Sequence, residues 1–436
     1  MNNPHDHNSR YRESNRLLQR AEAVIPLGAQ TFSKSRIQFP VPHAPLFLER
    51  GKGATVWDVD GNAYIDCIAA LLPIVLGYGD PDVDRAIRDQ LERGISFSLS
   101  TPLEITLAEK LVSLIPCAQM VRFGKNGTDA TSAAVRLARA FTGRDLVLAL
   151  GYHGWQDWFV GATVRHEGVP QPIRELTRRL PFNDIDALGN ATKDLKDRVA
   201  AVILEPMTSE TPREGYLQAV RELTAKHGIV LVYDEIITGF RFALGGAQEY
   251  FGVTPDLACF GKAMANGMPL SAVVGRADIM RKMEDVFYSG TFGGETLSLA
   301  ASIATIDKLE RCHVIAGLWS RGEALRGFLA GAIDETGLSD AIKIAGSPPW
   351  TIFQFVSQAD ADQDEIKTYF MKAMLERGIL INASVNLTHA HGDDEIAAIV
   401  RAFKETCHDM RRALDRKSLR DDLDCAAVRP VFRLRS

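Results

Sequence analysis

Cysteine is scarce in this sequence, and the residues that occur are scattered. The six are Cys67, Cys117, Cys259, Cys312, Cys407 and Cys425 in a chain of 436 residues. No two of them form a Cys-x-x-Cys pair, and no histidine cluster stands beside them at the spacing of a zinc site. The sequence therefore predicts reduced thiols, without a disulfide framework and without a bound metal.

Long hydrophobic runs are also missing. The most apolar stretch, residues 68–76, is too short to span a bilayer and contains Pro73. Residues 1–20 are polar and charged, and they lack the apolar segment of a signal peptide. We therefore expect a cytoplasmic protein without a membrane partner.

No strong excess of charge of either sign is present. The formal net charge is −5, which gives no reason to expect nucleic acid or an anionic membrane as a partner. The apolar fraction of 46% and the charged fraction of 24% are typical of globular proteins. A chain of this length is long enough for two or three domains with a large core.

Short apolar runs alternate with helical patterns between about residues 80 and 310. Residues 146–150, 200–204 and 229–233 are continuously apolar, as strands buried on both faces of a parallel sheet are. A helix over 217–227 ends at Gly228, directly before the third run. This alternation predicts an α/β fold with a mainly parallel sheet.

The two ends of the chain follow other patterns. Residues 53–66 read as a β-hairpin whose turn is 60–62, and 10–25 show mild helical periodicity. Near the other end, acidic residues open a helix at 393, and apolar residues then recur on one helical face to Leu414. The last residues, 417–436, lack clear periodicity, and we expect a tail packed on the surface.

A possible phosphate site lies at the start of a predicted helix. Gly127 and Thr128 precede a helix over 129–141, which Gly143 stops. Backbone N–H groups at a helix start carry partial positive charge, and Gly127 lets the backbone approach an anion closely. Thr128 adds a hydroxyl donor. An ordinary helix cap is the alternative interpretation of the same residues.

Two further polar or aromatic residues follow predicted strands. Tyr152 comes after the first run and Glu205 after the second, where α/β proteins bind ligands. Tyr152 could stack on a flat cofactor, or it could be a core aromatic. Glu205 needs a partner if it is buried, and a structural ion pair is the alternative to a functional role.

Asp234 and Lys262 are the most informative pair. Asp234 ends a wholly apolar strand, where a carboxylate is costly unless it meets a cation or hydrogen-bond donors. A protonated pyridine nitrogen is a suitable partner, and an ion pair with Arg241 is the alternative. Lys262 lies before a glycine-containing turn, and burial there would lower its pKa and free an amine for Schiff-base formation.

These residues, in this order, resemble the class III aminotransferases, which are pyridoxal 5′-phosphate (PLP) enzymes of fold type I, and in particular their glutamate-1-semialdehyde aminomutase branch. The similarity runs from about residue 20 to 414. The segments that carry it are 51–61, 127–130, 152–154, 234–241, 260–270 and 289–292.

The resemblance implies a fold, a domain organisation and a dimer. The fold is α/β, with a large PLP-binding domain whose mainly parallel sheet lies between helices, plus a small α+β domain built from both termini. The expected limits are 1–72 for the N-terminal segment of the small domain, 73–312 for the large domain and 313–436 for the C-terminal small domain. Family members are homodimers with active sites at the interface.

The resemblance also assigns roles to single residues. Lys262 would form the Schiff base with PLP and then act as the acid and base, and Asp234 would pair with the pyridine nitrogen. Ile236 would pack on the ring face opposite Tyr152. The other expected cofactor-binding residues are Gly127 and Thr128 at the phosphate, Glu205 near the substrate side, and Gly290 and Thr291 at the phosphate of the neighbouring subunit.

Departures from the aminomutase pattern bear on the reaction. Asn126 precedes the phosphate residues where the branch usually has serine, and Glu210 stands where the family has an asparagine near the cofactor hydroxyl. Lys34 and Leu71 stand at the substrate arginine and the active-site tryptophan of the mutase. The gating loop, 155–179, looks shortened. These changes favour ordinary transamination between a small-molecule amino donor and a carbonyl acceptor, by ping-pong chemistry.

Other functions stay open to different degrees. The first alternative is intramolecular amino transfer of the aminomutase type, and the second is a PLP-dependent racemase or epimerase. A cofactor-binding protein that has lost catalysis is disfavoured by the presence of Lys262. A nicotinamide dehydrogenase is excluded because residues 77–79 lack the third glycine of the dinucleotide-binding turn. Candidates to line the substrate pocket are Lys34, Arg36, Leu71, Trp155 and Trp158.

Overall fold

The computed structural model describes residues 10–195 and 197–430. In chain order, strands β1 to β14 are Leu48–Lys52, Thr55–Asp58, Ala63–Asp66, Met120–Gly124, Leu146–Leu150, Thr177–Arg179, Val199–Leu204, Val230–Asp234, Leu257–Phe260, Ser271–Gly275, Ile342–Ser347, Trp350–Phe355, Ile379–Leu380 and Ser384–Asn386. Helices α1 to α15 are Arg12–Glu22, Pro81–Leu91, Pro102–Leu114, Gly127–Thr142, Asp157–Val160, Gln171–Arg174, Ile185–Leu195, Tyr216–Lys226, Ala247–Phe251, Ala277–Met280, Thr296–Arg311, Val314–Glu335, Gln363–Glu376, Asp393–Asp415 and Leu419–Leu423.

The chain divides into two compact units. Of the described residues, the larger unit comprises Leu72–Val75 and Pro81–Ala316, and the smaller comprises 10–71, Leu76–Asp80 and 317–430. The domain limits expected from the sequence, at residues 72 and 312, stay a prediction.

A seven-stranded sheet forms the centre of the larger unit. Its strand order is β4-β10-β9-β8-β7-β5-β6. Neighbours from β9 to β6 are parallel, whereas β10 is antiparallel to both β9 and β4. Strand β4 therefore runs in the same direction as β9, so the carboxyl ends of all strands except β10 lie at one edge of the sheet.

Burial explains why the central strands read as continuous apolar runs. Every residue of β5, β7 and β8 is buried, because the sheet is covered on both faces. Helix α4 packs small side chains of its buried face, including Ala130 and Ala134, into the same core as Val147 and Ile203. The α/β prediction, the three strands and the helix before β8 are confirmed.

The smaller unit contains two sheets. One has the order β1-β2-β3-β13, and the other has the order β11-β12-β14. Strands β2 and β3 form the predicted hairpin, and Asp58 Oδ1 accepts hydrogen bonds from the backbone N–H groups of Asp60 and Asn62 in its turn. Helix α14 buries Ile399, Phe403 and further members of the predicted apolar face.

Some local features differ from the expectations. Helix α4 begins at Gly127 and not at residue 129, because Asn126 is its cap and Asp129 Oδ2 accepts the Asn126 N–H at 2.7 Å. The expected tail includes α15, Leu419–Leu423, and residues 431–436 of it lie outside the described residues.

The apolar stretch 68–76 has an unusual backbone. The four consecutive residues 69–72 have positive φ, between 48° and 82°. Side chains other than glycine rarely adopt this region, and such conformations persist only where the surroundings hold them. In the part of the chain that the structure describes, no helix has the length and apolarity needed to cross a bilayer. The cytoplasmic location stays a prediction.

Candidate active site

The residues selected from the sequence meet at one edge of the large sheet. Tyr152 follows β5, Glu205 follows β7, Asp234 ends β8, and Lys262 follows β9. The register aligns these ends, since Leu150 pairs with Leu204 and Leu204 pairs with Tyr233. Parallel strands thus bring together side chains that are more than a hundred residues apart in sequence.

Asp234 is held by a histidine in the part of the chain that the structure describes. Its side chain is buried, and its Oδ2 lies 2.8 Å from His153 Nδ1, while its Oδ1 accepts the Ile236 N–H at 3.1 Å. Arg241, the alternative partner, donates from Nη2 to the Leu72 carbonyl at 3.1 Å. The Asp234 side chain is therefore fixed by hydrogen bonds at the carboxyl end of β8.

His153 is the site residue that the sequence reasoning missed. It is fully buried, and its ring stacks on Trp158 with a centroid separation of 6.3 Å and an interplanar angle of 13°. Thr131 Oγ1 donates to its carbonyl at 2.9 Å. The only available signal was a histidine beside Tyr152 at a strand end, which does not reveal a bond to a residue 81 positions later.

Lys262 occupies a constrained position. It begins a short 3₁₀ turn, Lys262–Ala265, with φ of 42°, a value that few residues other than glycine adopt. Burial lowers the pKa of its amine to about 8, although Glu205 and Asp234 act in the opposite direction. A substantial part of the amine is therefore neutral near pH 8, and the neutral amine is the form that attacks a carbonyl.

Glu205 lies beside this amine. Burial and the neighbouring Asp234 raise the pKa of its carboxyl to about 7, while His153 and Lys262 favour its charged form. Its Oε2 accepts the Tyr152 N–H at 2.8 Å. The Glu205 carboxyl and the Lys262 amine therefore both titrate close to neutral pH, and the charge of each influences the pKa of the other.

The helix start forms a cradle for an anion. Thr128 Oγ1 is buried, and it finds no hydrogen-bond partner anywhere in the described chain. A Cβ on Gly127 would lie 3.0 Å from Ile236 Cδ1, and one on Gly154 would lie 2.4 Å from Thr128 Oγ1. The absence of a side chain at both glycines thus leaves space around the Thr128 hydroxyl and the first backbone N–H groups of α4. These N–H groups point outward at the positive end of the helix.

This set of groups fits PLP. Thr128 and the start of α4 offer donors for the phosphate, and Asp234 offers a carboxylate for a protonated ring nitrogen. Ile236, which packs beside Gly127, offers an apolar surface for one face of the ring. Lys262 supplies an amine in the same neighbourhood, because its pKa responds to both Glu205 and Asp234.

Other predicted residues belong to a loop of the larger unit and to the smaller unit. Gly290 and Thr291 are exposed on the loop before α11, where Gly290 lines a groove with Arg122 and Tyr288. Lys34 and Leu71 line a cavity of about 270 Å³ in the smaller unit.

The remaining pocket candidates differ in exposure. Arg36 forms an ion pair with Glu22, and Trp155 is exposed. Trp158 is buried and donates from Nε1 to Ser132 Oγ at 2.9 Å. Trp158 is therefore a support for His153 and does not present its ring to solvent.

Known proteins resemble this chain along most of its length. The family model of aminotransferase class-III matches residues 38–403. A 3-aminobutyryl-CoA aminotransferase of Cloacimonas acidaminovorans is 34% identical over 408 residues, which cover 91% of this chain and 97% of that protein. A glutamate-1-semialdehyde 2,1-aminomutase of Syntrophobacter fumaroxidans is 37% identical over 399 residues, which cover 84% of this chain and 89% of that protein.

A solved structure is similar in fold. The crystal structure of an omega-transaminase from Sphaerobacter thermophilus superimposes with a TM-score of 0.84 at 30% identity. The match covers 92% of this chain and 99% of that one.

Proposed function

This chain belongs to the class III aminotransferases, which depend on PLP, and we propose that Lys262 and Asp234 are its catalytic residues. The enzyme moves an amino group from an amino donor to a carbonyl acceptor in two half-reactions. When bound, PLP supplies an aldehyde carbon that takes up the amine and a protonated ring that withdraws electrons. The observation that carries the assignment is the convergence of Lys262, Glu205 and Asp234 at one sheet edge.

Lys262 acts as the base and then as the acid. Its Nζ, part of which is neutral near pH 8 because burial lowers its pKa to about 8, would take the proton from the substrate carbon that bears the amine. The same Nζ would then give the proton up again at a second position, so that Lys262 serves as the acid as well as the base. The short turn that begins at Lys262 holds the amine in place between these two positions.

Asp234 and His153 act together on the ring nitrogen. Asp234 would pair with a protonated ring nitrogen, and His153, whose Nδ1 lies 2.8 Å from Asp234 Oδ2, would orient the Asp234 side chain. Gly127, Thr128 and the start of α4 would hold the phosphate, while Ile236 and Tyr152 would lie on opposite faces of the ring. The positions of Asp234 and Tyr152 at the sheet edge, and of Thr128 at the start of α4, support these assignments.

Two features favour transfer between two molecules over transfer within one. By the resemblance to the mutase branch, the substrate arginine of the mutase falls near Lys34, with Arg36 close by, its active-site tryptophan falls at Leu71, and the gating loop, 155–179, looks shortened. A mutase must hold its diamine intermediate while the amino group moves within one molecule, and for this it needs both the substrate-binding residues and the gating loop. We therefore expect the amino group to stay on the enzyme while the first product, the deaminated donor, is released.

A single-substrate experiment distinguishes the two reactions. Holoenzyme mixed with an amino donor alone should complete one half-reaction and stop, with about one product formed per active site, because the enzyme follows ping-pong kinetics. Addition of a keto acid should restart turnover. Absorbance of the cofactor and product analysis give the readout. Continuous turnover of glutamate-1-semialdehyde, with no added acceptor, would support the mutase instead.

We also propose a homodimer in which the loop with Gly290 and Thr291 completes the partner's phosphate site. The larger unit exposes apolar side chains near this loop and in the segment between α2 and α3. They are Ile95, Phe97, Leu99, Ile105, Phe287 and Phe292. Large exposed apolar surfaces of this type mark protein interfaces, and symmetric dimers are the commonest assembly.

Subunit complementation tests this arrangement. Thr291→Asp should inactivate the homodimer because a carboxylate beside the phosphate repels it, and Lys262→Ala should inactivate it as well. Co-expressed with different affinity tags, the two variants should recover about a quarter of wild-type activity, since half of the dimers hold one intact site. Mixed dimers that are isolated through both tags and remain inactive would contradict the shared site.

A further inference from the structure

A cavity opens beside the active site on the Tyr152 side of the sheet edge. Its volume is about 450 Å³, and it lies wholly within the larger unit. Its wall includes Tyr152 and Glu205, and its far side includes Phe182, Glu210 and Arg179. Because Tyr152 and Glu205 belong to the site itself, a molecule in this cavity reaches the reacting groups.

Arg179 is the one guanidinium on the wall of this cavity. It ends β6, the edge strand, where Ala149 of β5 is its register partner. Its guanidinium carbon lies 5.8 Å from the centroid of the Phe159 ring, and its Nη2 donates to the Gly151 carbonyl across 3.4 Å. These contacts hold the side chain against the wall, next to the residue that precedes Tyr152.

One hydrogen-bond donor of Arg179 is unused. Its Nε is buried and lacks a partner within residues 10–195 and 197–430. Burial lowers the pKa of the guanidinium, and no neighbouring carboxylate contributes to the shift. A buried donor left without an acceptor costs free energy, so this geometry favours a ligand that brings an anion.

The polarity of the cavity matches an amino acid. Arg179 provides positive charge at one part of the wall, whereas Glu205, beside Lys262, provides a carboxyl group near the reacting amine. A guanidinium binds a carboxylate through two parallel N–H···O bonds, which Nε and an Nη can supply together. Glu210 is exposed at the rim, where solvent screens its charge.

We propose that Arg179 determines substrate specificity by binding a carboxylate of the amino donor, separated by a short carbon chain from the amine that is transferred. This proposal rests on the aminotransferase function proposed above. The substrate class is therefore the amino acids whose carboxylate reaches Arg179 while the amine reaches Lys262. Arg179 contacts the substrate and not the reacting bonds, so its removal changes selectivity more than the chemistry.

Matched donors with and without the carboxylate test this assignment. We expect the wild-type holoenzyme to prefer β-alanine over propylamine, or γ-aminobutyrate over butylamine, in single half-reactions followed by cofactor absorbance. Arg179→Gln should lower kcat/KM for the preferred carboxylated donor about 10- to 100-fold, since a charged hydrogen bond is lost. The same variant should change kcat/KM for the alkylamine less than about twofold. Arg179→Lys keeps the positive charge and loses the two-pronged hydrogen bonding of the guanidinium. Its kcat/KM for the carboxylated donor should lie between the values of the wild type and of Arg179→Gln.

Arg178→Gln is the matched control. Arg178 precedes Arg179 on β6, is exposed, and lies on the opposite face of the strand because side chains alternate. This variant should leave both donors unaffected. Equal losses for the carboxylated donor and the alkylamine in Arg179→Gln would overturn the proposal, and so would a wild-type enzyme that reacts with alkylamines without preferring either acid. An enzyme that reacts with no amine at all would instead count against the aminotransferase function.

Discussion

Lys262→Ala should lower amino transfer by about 10⁴-fold or more, because the variant loses the group that moves the proton, and proton transfer alone contributes about 10²- to 10⁴-fold. The variant also loses the amine that reacts with the cofactor aldehyde. We expect the purified wild-type protein to be yellow and the variant to lose the corresponding absorbance near neutral pH. Steady-state kinetics and the absorption spectrum after addition of PLP measure the two effects.

Lys110→Ala is a suitable control for Lys262→Ala. Lys110 is also partly buried, and its Nζ lies 2.7 Å from Glu310 Oε2 in a structural ion pair. The control should therefore lose some stability and keep both the absorbance and the activity. Retention of the absorbance and of most activity in Lys262→Ala would show that another residue does this chemistry.

Asp234→Asn should lower kcat by about 10²- to 10³-fold, the range typical of removing one preorganised electrostatic contact to developing charge. The amide keeps the shape of the side chain and can still pack at the end of β8. It cannot hold a proton on the ring nitrogen, so the electron-withdrawing form of the ring is lost. We expect cofactor binding to weaken less than kcat, which a PLP titration followed by absorbance can separate.

Asp256→Asn provides the matched comparison. Asp256 is equally buried, but it pairs with Arg221 at 3.0 Å and Arg276 at 2.9 Å, and its backbone precedes β9. That variant should lower the thermal midpoint and leave the holoenzyme spectrum unchanged. If Asp234→Asn also lowers only the thermal midpoint, with kcat preserved, then Asp234 is a structural residue.

Much of the fold was predictable because its signals are local. Strands β5, β7 and β8 are buried on both faces, so their apolar runs are unbroken in sequence. The hairpin of β2 and β3 follows from the turn chemistry of residues 60–62. The family membership and the fold class that the motifs suggested are confirmed by the similarity to known aminotransferases.

Other features of the fold depend on tertiary contacts, and no local sequence pattern predicts them. Strand β6 has only three residues and two of them are arginines, because it forms the sheet edge and meets solvent on one side. The bond between His153 and Asp234 joins the ends of two strands that are separated by β7. The backbone of residues 69–72 adopts positive φ without a single glycine, so composition gave no indication of it.

In the candidate active site, too, some residues could be predicted from the sequence and others depend on tertiary contacts. Residues at strand ends could be selected because every parallel strand presents its carboxyl end at the same edge. The exposure of Trp155 and the burial of Trp158, three residues later, could not be separated by sequence alone. The unused donor of Arg179 became visible only with the cavity on which it lies.

Chemical trapping tests the central claim most directly. The holoenzyme is treated with borohydride, digested with a protease, and the peptide that carries the reduced cofactor is identified by mass spectrometry. We expect one modified peptide, with the cofactor fixed to the Nζ atom of Lys262. Attachment at a different lysine, or a protein that carries no cofactor after reduction, would contradict it.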